Sequence, residues 1–388
     1  MPRPMTSSIR RLLAVAAFGA VAAPLASGAL AQGQGSAMTE QVIKVAERPQ
    51  AVCNDGTAPV FYFRPGSGDD RNKWIIYLQG GGGCMTGEFC ADRARDRANL
   101  ITSSRAPATV AFDGLLSASK TKNPDFAAFT HVHVHYCSSD FWAGDSQQRV
   151  GGSTWQFRGH EIIDALLDQL LGRAIGGGTA LADATEVLVA GESAGAMGVH
   201  NNIDRIAERL PKASVKGIAD SAWIPARTQP YGPGTLSIAN YSPEAMAFHG
   251  SHPDESCVAA NPASPNACLN EGFVFPYLTT PTFIFADLRD PILLGMLGIV
   301  IGPQMDANQR TYVNSYAQAV RQSLQKVPAY FATANITHTA LLNARFSQAA
   351  IGGQTLAQTI GAWYFGRPGK LKLVGRPGEG KVDQREQQ

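Results

Sequence analysis

Charge is scarce in this chain. Across 388 residues, 33 Lys and Arg stand against 31 Asp and Glu, 16% charged in all, for a net of +2. That balance gives no electrostatic reason to expect nucleic acid or a membrane surface as a partner. Long apolar runs are missing too. The two candidates, Leu12–Leu25 and Pro291–Gly302, fall short of the about 18 residues a bilayer-spanning helix needs, and Pro24 breaks the first. No His-Glu-x-x-His stretch is present, and no Lys-Ser/Thr pair follows the glycine run at 80–83. Metalloprotease chemistry and a phosphate-binding loop therefore lose their usual signatures. No segment repeats, which excludes a solenoid.

What is present begins with an export signal. Arg3, Arg10 and Arg11 form an acid-free basic region, Leu12–Leu25 an Ala-rich apolar region, and Ala29-Leu30-Ala31 a small-x-small cleavage site before Gln32. Residues 1–31 are expected to be a signal peptide, giving a secreted or periplasmic protein. Its removal takes the net charge from +2 to −1, since three arginines leave. Six cysteines remain (Cys53, Cys84, Cys90, Cys137, Cys257, Cys268), an even number that suggests disulfides in an exported chain. Fifteen pairings are open on spacing alone.

The stretch that organises the chain is Gly191-Glu192-Ser193-Ala194-Gly195. It follows the apolar run Thr185–Ala190, read as a buried strand, and precedes Ala196–Ile203, read as a helix start. Strand, glycine-flanked turn and helix are the setting of a nucleophile elbow, in which a strained turn holds a serine hydroxyl in the open. Ser193 is the candidate nucleophile. The helix N-terminus behind it favours a developing negative charge.

A second glycine run, Gly80–Gly83, directly follows the all-apolar strand Trp74–Leu78. Each glycine costs chain entropy, so four in a row need a reason. An oxyanion loop, whose backbone N–H groups must approach a reacting carbonyl closely, supplies one. His131, His133 and His135 alternate along a third strand and share one face. They could hold zinc, but packed strand histidines are the preferred reading, and no metal or other cofactor is expected. Residues 32–50 read as a linker, 51–365 as the catalytic domain, 225–280 as a Pro/Gly-rich cap or insertion, and 366–388 as a disordered tail. Alternating strands and amphipathic helices give the fold class: α/β, α/β-hydrolase-like, with a mostly parallel central sheet and helices on both faces.

A serine needs a histidine to take its proton and a carboxylate to orient that histidine. In this fold class the chain order is Ser, acid, His, each on a loop after a strand. After the strand Thr282–Ala286 come Asp287 and Asp290, and only His338 lies beyond them, on the loop after what reads as the last strand, Tyr330–Thr333. His338 is the base by elimination. Asp290 and Asp287 compete as the acid, and Asp220 is a third option. Asp290, just before Pro291, would equally suit a helix N-cap.

The stretches Cys53-Asn54-Asp55-Gly56, Leu78–Cys84, Tyr136–Asp140, Gly191–Gly195, Asn202–Arg205 and Gly217–Trp223, in that order, resemble the pectin acetylesterase and Notum family of serine carboxylesterases. The resemblance favours Asp290 as the acid and implies His338 as the base. It implies backbone N–H donors at Gly81, Gly82 and Ala194, and disulfides Cys53–Cys137, Cys84–Cys90 and Cys257–Cys268. Gly82 stands where members of the family carry an aromatic residue. The expected activity is removal of acetyl or other short acyl groups from polysaccharide, with an acylated carbohydrate or small ester as substrate. The rivals are a lipid esterase or protein deacylase, motivated by the apolar Pro291–Gly302, and a non-catalytic binding protein on a hydrolase scaffold.

Overall fold

The computed structural model describes residues 37–232 and 241–382. The expected signal peptide and part of the expected insertion lie outside them. Ten strands form one sheet: β1 (Met38–Val42), β2 (Val60–Arg64), β3 (Lys73–Leu78), β4 (Thr109–Val110), β5 (Thr130–Val134), β6 (Glu186–Glu192), β7 (Ser214–Asp220), β8 (Thr282–Asp287), β9 (Tyr330–Thr333) and β10 (Lys372–Val374). Their spatial order is β10-β9-β8-β7-β6-β3-β5-β2-β1-β4. From β10 to β5 every pairing is parallel. The β5–β2, β2–β1 and β1–β4 pairings are antiparallel.

The central strands are apolar because both faces are covered. Along β3, Trp74, Ile76 and Leu78 enter one core and Ile75 and Tyr77 the other, the two-residue alternation of a strand. The first core receives Ile162, Ile163, Leu166, Leu167 and Leu170, spaced at three and four along the helix Gly159–Gly172. It also takes Val313, Tyr316 and Val320 of the helix Ala307–Leu324. The second core receives Leu356, Ile360 and Tyr364 of the helix Leu356–Phe365. The result is an α/β-hydrolase-like sheet with helices on both faces.

Two expectations at the margins are corrected. The 32–50 linker contains β1, paired residue for residue with β2. The 366–388 tail contains β10, which pairs with β9 and makes β9 the penultimate strand. β1 is five largely polar residues and β10 only three, Lys372-Leu373-Val374, too short to show a periodicity; their order comes from hydrogen bonds to a neighbouring strand and from Met38 and Leu373 entering the second core. Three disulfides close: Cys53–Cys137, Cys84–Cys90 and Cys257–Cys268. The last lies within the insertion. Elsewhere in that segment, His249 Nε2 donates to Cys84 O at 2.6 Å, while Tyr241 Oη donates to His249 Nδ1 at 2.6 Å. The insertion is thereby seated on the glycine loop.

Candidate active site

Among the described residues, six of the seven non-glycine residues at positive φ lie in loops that follow the sheet's strands: Ser139, Phe141, Trp142, Ser193, Ser221 and Thr339. Each such conformation costs on the order of 1–3 kcal/mol and persists only where the surroundings enforce it. The strain collects at the carboxyl edge of the sheet, where sites in this fold class gather.

Ser193 sits at φ 53°, ψ −122°, between β6 and the helix Ala194–Glu208. A serine at a helix N-cap ordinarily spends its hydroxyl on the helix. Here no such bond forms, so Oγ is left to the cleft that Ser193 lines. The turn is forced by contacts. A Cβ on Gly195 would lie 1.9 Å from Leu78 O, and one on Gly80 would lie 2.6 Å from Glu192 O. The two glycines let the glycine loop and the elbow press against each other, which neither would allow with a side chain.

The glycine loop is held from behind. Arg93, buried beside Tyr136, donates from Nη1 to Gly81 O at 2.7 Å and from Nε to Ser139 Oγ at 2.7 Å. Trp142 Nε1 donates to Gln79 O at 3.1 Å, and Cys84 N donates to Ser139 O at 3.1 Å. Gly82, Ser193 and Ala194 line one cleft, so the expected oxyanion donors Gly82 and Ala194 flank the expected nucleophile.

His338 Nδ1 lies 2.6 Å from Asp290 Oδ2. Burial opposes the imidazolium, but the Asp290 hydrogen bond and charge, helped by Asp220 and Glu192, outweigh it and raise the His338 pKa above its usual 6.5. Asp287 turns elsewhere. It accepts from Arg345 Nη2 at 2.7 Å, from Thr337 Oγ1 at 2.9 Å and from Thr333 Oγ1. Burial still pushes its carboxyl up to about 6. Asp220 Oδ2 accepts from Ala340 N at 2.7 Å and Leu341 N at 2.8 Å, and Ser221 Oγ accepts from Thr339 N at 3.0 Å. The carbonyl of Asp220 meanwhile accepts from Ser193 N at 2.7 Å. One strand end thus ties the elbow to the histidine loop. Ser193 Oγ itself makes no hydrogen bond to His338 among the described residues; such bonds commonly tighten only when substrate arrives.

The three strand histidines are each otherwise engaged. His131 bonds Arg64 at 2.6 Å and Phe126 O at 2.8 Å; His133 stacks on Phe112 and Tyr77; His135 bonds Thr102 O at 3.1 Å. Among the described residues no group of three or more His, Cys, Asp or Glu could hold a metal ion.

Sequence reasoning missed Arg93, Arg345 and Glu271. Glu271 lies in the insertion, yet it lines the cleft with Ser193, Met197, Ile224, Leu293 and Met296 and is 1% exposed. Nothing in its local sequence marks it as buried. The stretch Pro291–Gly302 forms the helix Pro291–Met296 and a following loop; its Leu293 and Met296 supply the expected apolar wall.

Sheet, elbow and histidine loop together define an α/β-hydrolase. The Pectinacetylesterase family profile matches residues 31–377, and the chain belongs to that family of carboxylic ester hydrolases. It is 32% identical over 328 residues to the palmitoleoyl-protein carboxylesterase NOTUM of Drosophila melanogaster, covering 80% of this chain and 46% of that one. It is 29% identical over 324 residues to the NOTUM of Homo sapiens, covering 80% and 64%. The chain thus spans about half to just under two thirds of these relatives' length. The crystal structure of the Wnt deacylase Notum from Drosophila superposes with a TM-score of 0.77 at 28% identity, over 88% of this chain and 96% of that one.

Proposed function

We propose that this protein is an exported serine carboxylesterase that removes acetyl or similarly short acyl groups, with acetylated polysaccharide as the substrate class. In this reading Ser193 Oγ attacks the ester carbonyl carbon while His338 Nε2 takes its proton, and Asp290 holds the imidazolium. Backbone N–H groups of Gly81, Gly82 and Ala194 receive the negative charge on the carbonyl oxygen. His338 then protonates the departing alcohol. Water, deprotonated in turn by His338, releases the acid and restores Ser193.

The observation that carries the short-acyl reading is the size of the cleft at Ser193. It leaves a cavity of about 10 Å³, room for about one water molecule. An acetyl methyl fits such a space as it stands, and a longer acyl chain enters only if lining side chains such as Leu293 and Met296 move aside. The second reading, a lipid or protein deacylase, is favoured by the activity of the relatives, which are palmitoleoyl-protein carboxylesterases. It is favoured also by the apolar wall of Leu293 and Met296. The discriminating measurement is kcat/KM for p-nitrophenyl acetate, butyrate and octanoate, with acetate release from acetylated pectin and xylan and Ser193→Ala as the blank. Acetate preferred, with acetate released from a polysaccharide, supports the proposal. Octanoate preferred with none released transfers the case to the deacylase. Export is supported by the leader at 1–31 and the three disulfides, and N-terminal sequencing of the mature protein at Gln32 tests it.

A further inference from the structure

The cleft at Ser193 is lined mostly by apolar side chains; besides Ser193 itself, Ser221 and Glu271 are its polar residues, and Glu271 alone is ionisable. Glu271, one of the residues lining the cleft, carries a carboxyl that is buried and has no hydrogen-bond partner from another residue on either oxygen among the described residues. A buried polar group without a partner is destabilising, and such groups in folded proteins ask for an explanation. The fold offers none. Glu271 opens the four-residue helix Glu271–Val274, whose N-cap bond comes from Asn270 and not from Glu271. The Tyr316 hydroxyl, also buried and unpartnered, is within electrostatic reach of Glu271 but makes no hydrogen bond to it. Burial pushes the Glu271 pKa up to about 8, so near neutral pH the group is chiefly a neutral acid that can both donate and accept.

We propose that Glu271 is a specificity-determining residue, a polar stop at the wall of the acyl cleft that excludes alkyl chains by the chemistry of its carboxyl and not by its bulk. With an acetyl group on Ser193, the wall is free to open locally and admit water to the carboxyl, whose oxygens are closed to water in the resting cleft. An acyl chain long enough to reach it displaces that solvent and leaves the carboxyl against methylene groups, where nothing satisfies it. Each further buried methylene would otherwise favour the longer ester by about fourfold. An unpaired carboxyl cancels the gain from the first few carbons.

This rests on the esterase reading of the cleft, and the test separates the two. The wild-type enzyme, E271Q, E271L and E271M are compared by the ratio of kcat/KM for p-nitrophenyl octanoate to that for p-nitrophenyl acetate. Both esters are measured in one preparation, so the ratio is independent of the active fraction. Glutamine keeps shape and polarity; leucine and methionine keep approximate volume and remove polarity. The expected result is a rise in the ratio of at least about tenfold in E271L or E271M, with E271Q within about threefold of wild type. An unchanged ratio in both apolar variants would overturn the proposal, as would a rise in E271Q equal to theirs. Loss of both activities in E271L and E271M, with E271Q active, would also overturn it by making the carboxyl necessary for turnover itself. The wild-type order of the two esters judges the short-acyl reading, the change between variants judges Glu271, and either can fail alone.

Discussion

Asp290 divides its two carboxylate oxygens between two tasks: Oδ2 meets His338 Nδ1 at 2.6 Å, while Oδ1 accepts from Ile292 N at 2.9 Å and Leu293 N at 3.2 Å. The helix cap and the partner of the histidine are one residue. The cap fixes the carboxylate, and a fixed carboxylate fixes the imidazole. Asp287, three residues earlier, is bound to Arg345 and cannot serve both.

The first prediction follows. Asp290→Asn retains a capping oxygen but loses the charge that favours the right tautomer, so kcat should fall by about 10⁴-fold with little change in melting temperature. Asp287→Asn should leave much more activity. Steady-state kinetics beside thermal melts check both, and the reverse ranking would move the acid to Asp287.

The pH dependence has a definite sign. The His338 pKa is raised above 6.5 in the folded protein, and the base must be neutral to take a proton. On p-nitrophenyl acetate, kcat/KM should therefore fall as pH drops through a midpoint above 6.5. By linkage the same shift contributes stability that is complete below about 6.5 and lost as pH rises through the raised value. An acid limb centred below 6.5 would contradict the assignment.

Arg93 acts through the glycine loop and not on substrate. Arg93→Leu frees the Gly81 carbonyl and should misaim the neighbouring N–H groups, lowering kcat by about 10- to 100-fold with KM nearly unchanged. An unaltered kcat in a variant folded by circular dichroism would refute the role.

The Cys84–Cys90 bridge closes a short loop just beyond the glycines. Replacing both cysteines by alanine should lower kcat before it lowers the melting temperature appreciably. Peptide mapping of exported protein without reductant checks the bridge itself, and free thiols at both positions would rule it out.

Arg345 is the counter-ion of a buried carboxylate, with side-chain exposures of 7% and 0% for the pair. Its removal leaves Asp287 uncompensated. Arg345→Leu should cost about 3–5 kcal/mol in urea unfolding, and adding Asp287→Asn should recover part of it. Additive losses would show that the pair is not coupled.

Local sequence was sufficient wherever a local constraint wrote itself into residue types. The elbow is legible because a Cβ on Gly195 would strike Leu78 O and no other residue fits there. The apolar central strands are legible because both faces are covered. His338 is legible because no other histidine follows the penultimate strand, so chain order alone leaves one choice. Contacts between distant segments left no such trace. Asp287 ends strand β8 and Asp290 follows it by three residues, and their separate fates were decided by Arg345 and His338, which arrive from more than forty residues away. Strands β1 and β10 are too short or too polar to show a periodicity and are ordered by the strands beside them. Glu271 reads as a surface residue of a polar insertion, and only folding that insertion over the helix behind Ser193 buries its carboxyl in the cleft. A residue's own chemistry says what it can do, but its partners and its access to water are set by the packing of segments far apart in the chain.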